Sequence, residues 1–457
     1  MMNRLFTKFA LALTALLPAA AFAKGPAQDA NVVRLSLQDC IDYALHYSDT
    51  IKNARLAILK QEAVNNETRA AALPHINGSG QFNDFVDPQQ SLVPLAFLTQ
   101  KPEDVNTFTA VQFTPKYNAT GSLSGSQALF DGSVLVALKA RKTVLEVFHQ
   151  SARLTEENLR YNIRRAYYAV VIGEQQFKTV AASLAVARDM MHDVEVTFQN
   201  GLAEKIDVTR SEVQTTNLEA DSIRIASMVE TGKQLLKYSI GMSIDQPVEL
   251  TDTAVAEGIG DAARLLTEQL DYNRRTEIAL ANTVVRLNEY NLQRYKLSAY
   301  PSLNAIGNMG YTYGSNKFSD LTQSTYLFSS LIGLQLNIPI FNGLLRQNQV
   351  RETKLDVEMA KNRLHQLKLS LDFQTEQAQT ALRNALLSVD KQKRNLELSN
   401  TVLDLARKKY KAGVGSNVEV NLAQTDLLQA QNNYYSALLD AVNAQADVQK
   451  ALGDFAQ

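Results

Sequence analysis

Landmarks in the first half of the chain return in the second at a nearly constant offset, and this internal repeat limits the fold more than any other feature. Ile51 is matched by Ile278, and Leu73-Pro74 by Tyr300-Pro301, both at an offset of 227. Past the next segment the offset is 211 for Phe130-Asp131-Gly132 against Phe341-Asn342-Gly343. It is then 212 for Phe198 and Gly201 against Tyr410 and Gly413, and for Gly241 against Gly453. The fall from 227 to 211 places an insertion in the first copy, between Pro74 and Phe130. Each copy reads as helix, β-hairpin, long helix, tip, helix.

The long segments are assigned as helices from a period of seven. Ile163, Val170, Phe177, Leu184, Met191 and Phe198 fall at that interval, and Leu382, Val389, Leu396, Leu403 and Tyr410 repeat the phase at the offset of 212. A third series is Val420, Leu427, Tyr434, Ala441 and Val448. A strict heptad stripe requires supercoiling, because a straight helix drifts off it by about 20° per heptad. No Pro interrupts the run from Gly132 to Gly201 or from Gly343 to Gly413. At about 1.5 Å per residue such a helix approaches roughly 100 Å, too long for a compact globular domain.

The expected organisation is a signal peptide over 1–23, a first repeat over 24–240, a linker over 241–263 and a second repeat over 264–457. Helices are expected at about 36–72, 133–200 and 204–240, then at about 264–299, 343–412 and 416–452, with β-hairpins at about 74–130 and 301–341. Arg4 and Lys8, the apolar stretch Phe9 to Leu17, Pro18 and the small residues around Ala21-Phe22-Ala23 are the leader signature. Its apolar core is shorter than the roughly 20 residues a spanning helix needs. Lys24 leaves no cysteine there for acylation.

The hairpins alternate with a period of two. Leu303, Ala305, Gly307, Met309, Tyr311 and Tyr313 share one face, against Asn304, Asn308 and Thr312. The returning strand puts Tyr326, Phe328, Ile332, Leu334, Leu336, Ile338 and Ile340 together, against Ser329, Gly333, Gln335 and Asn337. In the first copy Val111, Phe113, Tyr117, Ala119 and Leu123 oppose Gln112, Thr114, Lys116 and a run of Asn, Thr and Ser, while Ile76 to Phe85 alternates more weakly. A soluble sheet packed on a helix would also alternate. The segments are nonetheless as long as a tilted membrane strand, and an apolar-out, polar-in dyad is the outer-membrane barrel signature. Four strands do not close a barrel, and an open edge in lipid leaves backbone groups unpartnered at several kcal/mol each. Several copies must therefore pool their strands; strand number alone does not choose between two and three.

The remaining composition excludes more than it suggests. With 46 basic and 47 acidic residues there is no nucleic-acid footprint. Cys40 is the single cysteine, so no intrachain disulfide forms. His46, His75, His149, His192 and His365 are scattered, with no i, i+4 pair for zinc, and no GxxxxGK loop is present. No catalytic residue, metal site or cofactor is expected.

The duplicated plan, Tyr300-Pro301-Ser302-Leu303, Pro339-Ile340-Phe341-Asn342-Gly343, Tyr410-Lys411-Ala412-Gly413 and Ala451-Leu452-Gly453 together resemble the TolC family of outer-membrane efflux proteins. The resemblance covers essentially the whole chain after the leader. It implies a mainly α fold with a membrane β-barrel: a homotrimer sharing a 12-strand β-barrel in outer-membrane lipid and a 12-helix periplasmic α-barrel. It further implies a belt drawing on about Ile244 to Ala263 and the termini. The implied function is a passive exit duct of a tripartite efflux or type I secretion system, with a periplasmic adaptor (membrane fusion protein) and an inner-membrane pump of RND, ABC or MFS type. The competing reading is a structural or adhesive envelope stalk anchored by the strands.

Control would lie at the turns near Gly201 and Gly413. The resemblance places a candidate gate at Glu419, with Asp207 its counterpart in the first copy. Leu422 stands where the family pattern has a second acid. Both acids also fit as first-turn residues stabilising a helix N-terminus. Gly201, Leu202, Gly413, Val414 and Gly415 are candidate adaptor-docking residues. Arg407, Lys408, Lys409 and Lys411 form a basic run, read as a partner contact, as salt links of a closed state, or as cations favoured at a helix C-terminus.

Overall fold

The computed structural model describes residues 32–252, 262–320 and 326–456. The expected leader and positions 253–261 of the expected linker lie outside them. In chain order, β1 (Val33–Leu35) leads to α1 (Leu37–Tyr47), α2 (Asp49–Ala70), β2 (His75–Asp84), β3 (Gln90–Pro94), α3 (Ala96–Thr99), β4 (Phe108–Gln112) and β5 (Tyr117–Phe130). Then come α4 (Gly132–Gln199), α5 (Lys205–Ile240), β6 (Val248–Leu250) and α6 (Ala262–Leu265). The second copy supplies α7 (Thr276–Leu297), β7 (Ser302–Ser315), β8 (Tyr326–Asn337), α8 (Leu345–Lys411) and α9 (Asn417–Leu452). α7 repeats α2 at the offset of 227 and α9 repeats α5 at 212, so the two offsets in the sequence are offsets between structural equivalents.

The helices form one layer. α4 packs along α5, α8 along α9, and α4 meets α9 where the two copies join; nearer the sheet, α2 and α7 flank α4, and α7 also packs on α8. None of the described helices is long and apolar enough to cross a membrane. At mid-height, β1 runs parallel to β6 with Leu35 opposite Leu250. Both rest on the largest apolar cluster, where Cys40, Ile163, Tyr167, Leu236 and Ile240 are fully buried. Tyr167 donates its buried hydroxyl to the Leu35 carbonyl, and burial holds that phenol well above its usual pKa.

A four-stranded antiparallel sheet in the order β2-β5-β7-β8 stands beyond the helices, with β2 and β8 as unpaired edges. The register puts Tyr311 opposite Phe328, Leu303 opposite Leu336 and Leu123 opposite Met309. Opposed residues share a face, so the odd-numbered apolar residues of β5 and β7 join the even-numbered ones of β8.

Several expected boundaries are corrected. The helix expected over 36–72 is broken at Ser48, which is extended (φ −63°, ψ 129°). The backbone of Gly241, at φ +78°, crosses there so closely that a Cβ would lie 2.9 Å from the Ser48 Cα. The helix expected over 264–299 starts only at Thr276, because Asp271 caps a 3-10 turn over Tyr272–Arg274 and Arg275 is extended. The hairpin expected over 74–130 contains a second one, β3–β4, and the alternation seen from Val111 to Leu123 is split where Pro115, without an N–H, ends the pairing. β8 stops at Asn337, short of 341, for the same reason at Pro339.

Candidate functional site

Two regions carry chemistry relevant to function, the faces of the sheet and the two helix turns at the opposite end. On one sheet face the register aligns Phe82, Tyr117, Leu123, Met309, Tyr311 and Phe328; on the other it aligns Ser79, Gln81, Ser122, Thr120, Asn308 and Ser329. The polar face is internally bonded, with the Ser79 and Ser122 hydroxyls 2.8 Å apart. The apolar face is uncovered, Ile332 being 93 % exposed. At the end away from the helices its aromatics gather: Phe82 stacks on Tyr117 at 6.3 Å, and Phe318, from the turn after β7, meets both edge-on. Tyr311 lies 4.9 Å from Phe328 and 5.8 Å from Tyr326. At the near end Tyr300, Phe341 and Phe130 are exposed. Set at the tilt of an outer-membrane strand, the stretch from Leu303 to Tyr313 would span about the 25 Å of an apolar band bounded by aromatic girdles.

The turns are built alike. α4 ends with the Leu202 N–H donating to the Thr197 carbonyl and the Gly201 N–H to Phe198, and α8 ends with Val414 donating to Lys409 and Gly413 to Tyr410. This paired bonding needs a left-handed residue, supplied by Gly201 (φ +76°) and Gly413 (φ +73°). Leu202 and Val414, one residue on, are 80 % and 76 % exposed. Gly415 is needed for space, since a Cβ would come within 2.9 Å of Lys409 Cβ and 3.0 Å of the Tyr410 nitrogen.

Of the two candidate gate residues, only Glu419 sits on a helix start with a side-chain cap. Glu419 lies in the first turn of α9 with its N–H donating to the Ser416 hydroxyl at 3.3 Å, and its carboxylate is exposed, 4.0 Å from Lys409 Nζ. Asp207 occupies the matching turn of α5, and its backbone carbonyl accepts from Asn417 Nδ2 at 3.0 Å. The same Nδ2 reaches Ser211 Oγ at 3.2 Å, joining the two copies at the tip. Burial, and then the carboxylates of Asp207 and Asp193, raise the pKa of the Tyr410 phenol.

The basic run does not act as one patch. Arg407 turns inward and donates from Nη2 to Gln424 Oε1 at 2.8 Å, with burial lowering its pKa. Lys408 pairs with Asp404 at 2.6 Å and Lys409 faces Glu419. Only part of the run is therefore at the surface, the helical period sending its first member into the α8–α9 interface. Asn417, Ser211 and Gln424 are the tip residues that sequence reasoning missed; a carboxamide at the start of a heptad stripe is the signal that points to them. No group of potential metal ligands occurs among the described residues.

A family model described as Outer membrane efflux protein matches residues 272–454. The efflux pump outer membrane protein TtgC of Pseudomonas putida is 24% identical over 355 residues, covering 74% of this chain and 69% of its own. The chain is similar to the outer-membrane efflux proteins, the family model matching its second half and the relatives most of its length. The alkaline protease secretion protein AprF of Pseudomonas aeruginosa is 20% identical over 337 residues, 71% of this chain and 66% of its own. Among solved structures, VceC of Vibrio cholerae has a TM-score of 0.68 at 17% identity, covering 91% of this chain and 96% of its own, a likeness of fold. These relatives are named for efflux and secretion, and what the solved channel shares with this chain is the fold.

Proposed function

We propose that three copies close a twelve-strand barrel and a twelve-helix tunnel, forming a duct that a periplasmic adaptor opens at its tip for an inner-membrane pump. The observation that carries this is the sheet: one apolar face bounded by aromatics, one hydroxyl- and amide-rich face, and two long unpaired edges, β2 and β8. Edges of this length in lipid require partners, and head-to-tail pairing of β8 with β2 of the next copy supplies them. The helical layer has matching free edges, since Ile223, Met228 and Leu235 on α5 and Leu369, Phe373 and Leu387 on α8 are exposed. Segment 1–23 serves as the export leader, and segment 241–263 with β1 contributes to a belt.

Glu419, with Asp207, lines the closed tip, while the Gly201-Leu202 and Gly413-Val414-Gly415 turns offer the adaptor its docking points; Lys408, Lys409 and Lys411 set the charge beside them. The names of relatives span toluene efflux and alkaline protease secretion. Cargo in this reading is chosen by the RND, ABC or MFS pump, and the duct is permissive. Planar-bilayer recording of the purified full-length protein, with its mass by native mass spectrometry, tests the reading. A trimer with a continuous conductance supports it; a non-conducting assembly identifies an envelope stalk instead.

A further inference from the structure

The fall in offset from 227 to 211 marks a stretch that only the first half of the chain carries, and the structure gives it a form. β3 and β4, with α3 between them, stand between β2 and β5 at the end of the sheet away from the helices. The register of this small hairpin sets Leu92 opposite Ala110 and Pro94 opposite Phe108, so these four share a face. The other face, with Val93, Thr109 and Val111, is half-buried. The first is bare: Leu92 is 73 % and Phe108 59 % exposed, and Phe97, in α3 at the hairpin's end, is exposed as well. Five residues of strand make the hairpin about 17 Å long.

A second bare apolar patch lies on β8. The even-numbered residues of that strand belong to the apolar sheet face, and the odd-numbered ones lie with the polar residues of β7. Two of the odd-numbered residues depart from the pattern. Leu331 stands opposite Asn308 and Leu327 opposite Thr312, on the face otherwise made of hydroxyls and amides, and they are 58 % and 68 % exposed. Leucines on a solvated wall leave apolar area in water unless something covers them. Within one chain the hairpin does not, since both patches are exposed there.

We propose that the β3–β4 hairpin is a clasp between chains, its Leu92 and Phe108 face resting on Leu327 and Leu331 of the neighbouring chain. The occupant follows from the strand order. β2, from whose far end the hairpin springs, is one edge of the sheet, and β8, which carries the two leucines, is the other. Inside one chain β5 and β7 lie between them, a separation of about 14 Å. Where β8 of one chain pairs with β2 of the next, the two are adjacent strands about 4.8 Å apart. Strand direction alternates across the sheet, so that pairing is antiparallel and brings the far ends of both strands side by side. The hairpin is long enough to cover the four residues, about 13 Å, from Leu327 to Leu331. Each chain offers one hairpin and one leucine pair, the two complementary surfaces that a closed head-to-tail ring requires. This rests on the reading of the sheet as part of a shared barrel.

The test is a double-mutant cycle on the temperature at which the purified full-length assembly dissociates into single chains in detergent, followed by mass. Phe108→Ser and Leu327→Ser change side chains that are exposed in the single chain, so each variant should fold. Each is expected to lower the dissociation temperature by a few degrees, and the double variant to fall little further than the larger single loss, because either change opens the same contact. Phe108→Leu, which keeps the apolar surface, is expected to stay near wild type. Additive losses, or no loss in either single variant, overturn the clasp. A loss confined to Phe108→Ser assigns the hairpin face to lipid or to another protein and also overturns it. A wild-type protein that is a single chain throughout overturns the shared barrel itself.

Discussion

Asn417 Nδ2 donates both to the Asp207 carbonyl, at 3.0 Å, and to Ser211 Oγ, at 3.2 Å, and so ties the start of α9 to the start of α5. The side chain is buried, and its bonds join the two copies at the tip. Asn417→Ala leaves two groups without their donor, a loss of about 1–3 kcal/mol. The expected outcome is a longer-lived open state in single-channel recordings with unchanged oligomer mass; a shorter one would contradict the role given to this bond.

The glycines of the second turn differ in why they are glycine. Gly413 is left-handed with nothing near its missing Cβ, so Gly413→Asn is expected to lower the thermal midpoint only slightly. Gly415 has backbone within 3.0 Å of where a Cβ would be, and Gly415→Ala must displace the turn. Differential scanning calorimetry and adaptor-peptide pull-down should both separate the two variants, with Gly415→Ala the more damaging in each.

Much of this architecture was legible in the sequence because its signals are long. The period of seven and the two offsets rest on many residues, and the helices Lys205–Ile240 and Asn417–Leu452 differ by the 212 that Gly201 and Gly413 announce. The sheet faces were readable from alternation because opposed residues in an antiparallel pair share a side. Breaks set by tertiary contact were not readable: Ser48 ends a helix because Gly241 packs on it, and no local pattern near Ser48 shows that. At the tip, the direction of Arg407 depends on the presence of Gln424 across a turn, so a run of basic letters concealed one inward-facing member.

Arg275 closes the mid-height region in a way the sequence also concealed. It is 3 % exposed, forks onto Glu277, and donates to the Lys450 and Ala451 carbonyls at the C-terminal end of α9, the latter at 2.5 Å. Arg275→Met takes the partner from the Glu277 carboxylate and the Ala451 carbonyl, while the Lys450 carbonyl keeps the Gly453 N–H, a loss expected at about 3–5 kcal/mol. Arg275→Lys should not rescue it, because an ammonium lacks the planar fork. Chemical denaturation of the detergent-solubilised protein would show both midpoints well below wild type; a near-normal lysine variant would show that charge alone suffices.

Glu419 and Lys409 are both exposed and 4.0 Å apart, and pairs of this kind contribute about 0–1 kcal/mol. Glu419→Ala is therefore expected to leave assembly intact while modestly changing block of the channel by divalent cations added to the periplasmic side. Loss of the assembly on this change would mark Glu419 as a structural residue.

The pH dependence of stability should carry a signature of Glu157. Its carboxyl is largely buried beside Thr276, whose hydroxyl donates to it; burial is the main cause raising its pKa, with the Glu277 carboxylate adding to it against Arg153 and Arg275. A carboxyl with a raised pKa in the folded protein binds its proton more tightly there than in the unfolded chain. Its contribution is thus fully present below the ordinary carboxylate pKa and is lost as the pH rises through the raised value. Glu157→Gln keeps an acceptor for Thr276 without the charge. Its thermal midpoint should exceed wild type at pH 7–8, with the two curves converging as the pH falls toward 4. A variant less stable than wild type at neutral pH would show that the ionised carboxylate, paired with Arg153 and Arg275, stabilises the mid-height region instead.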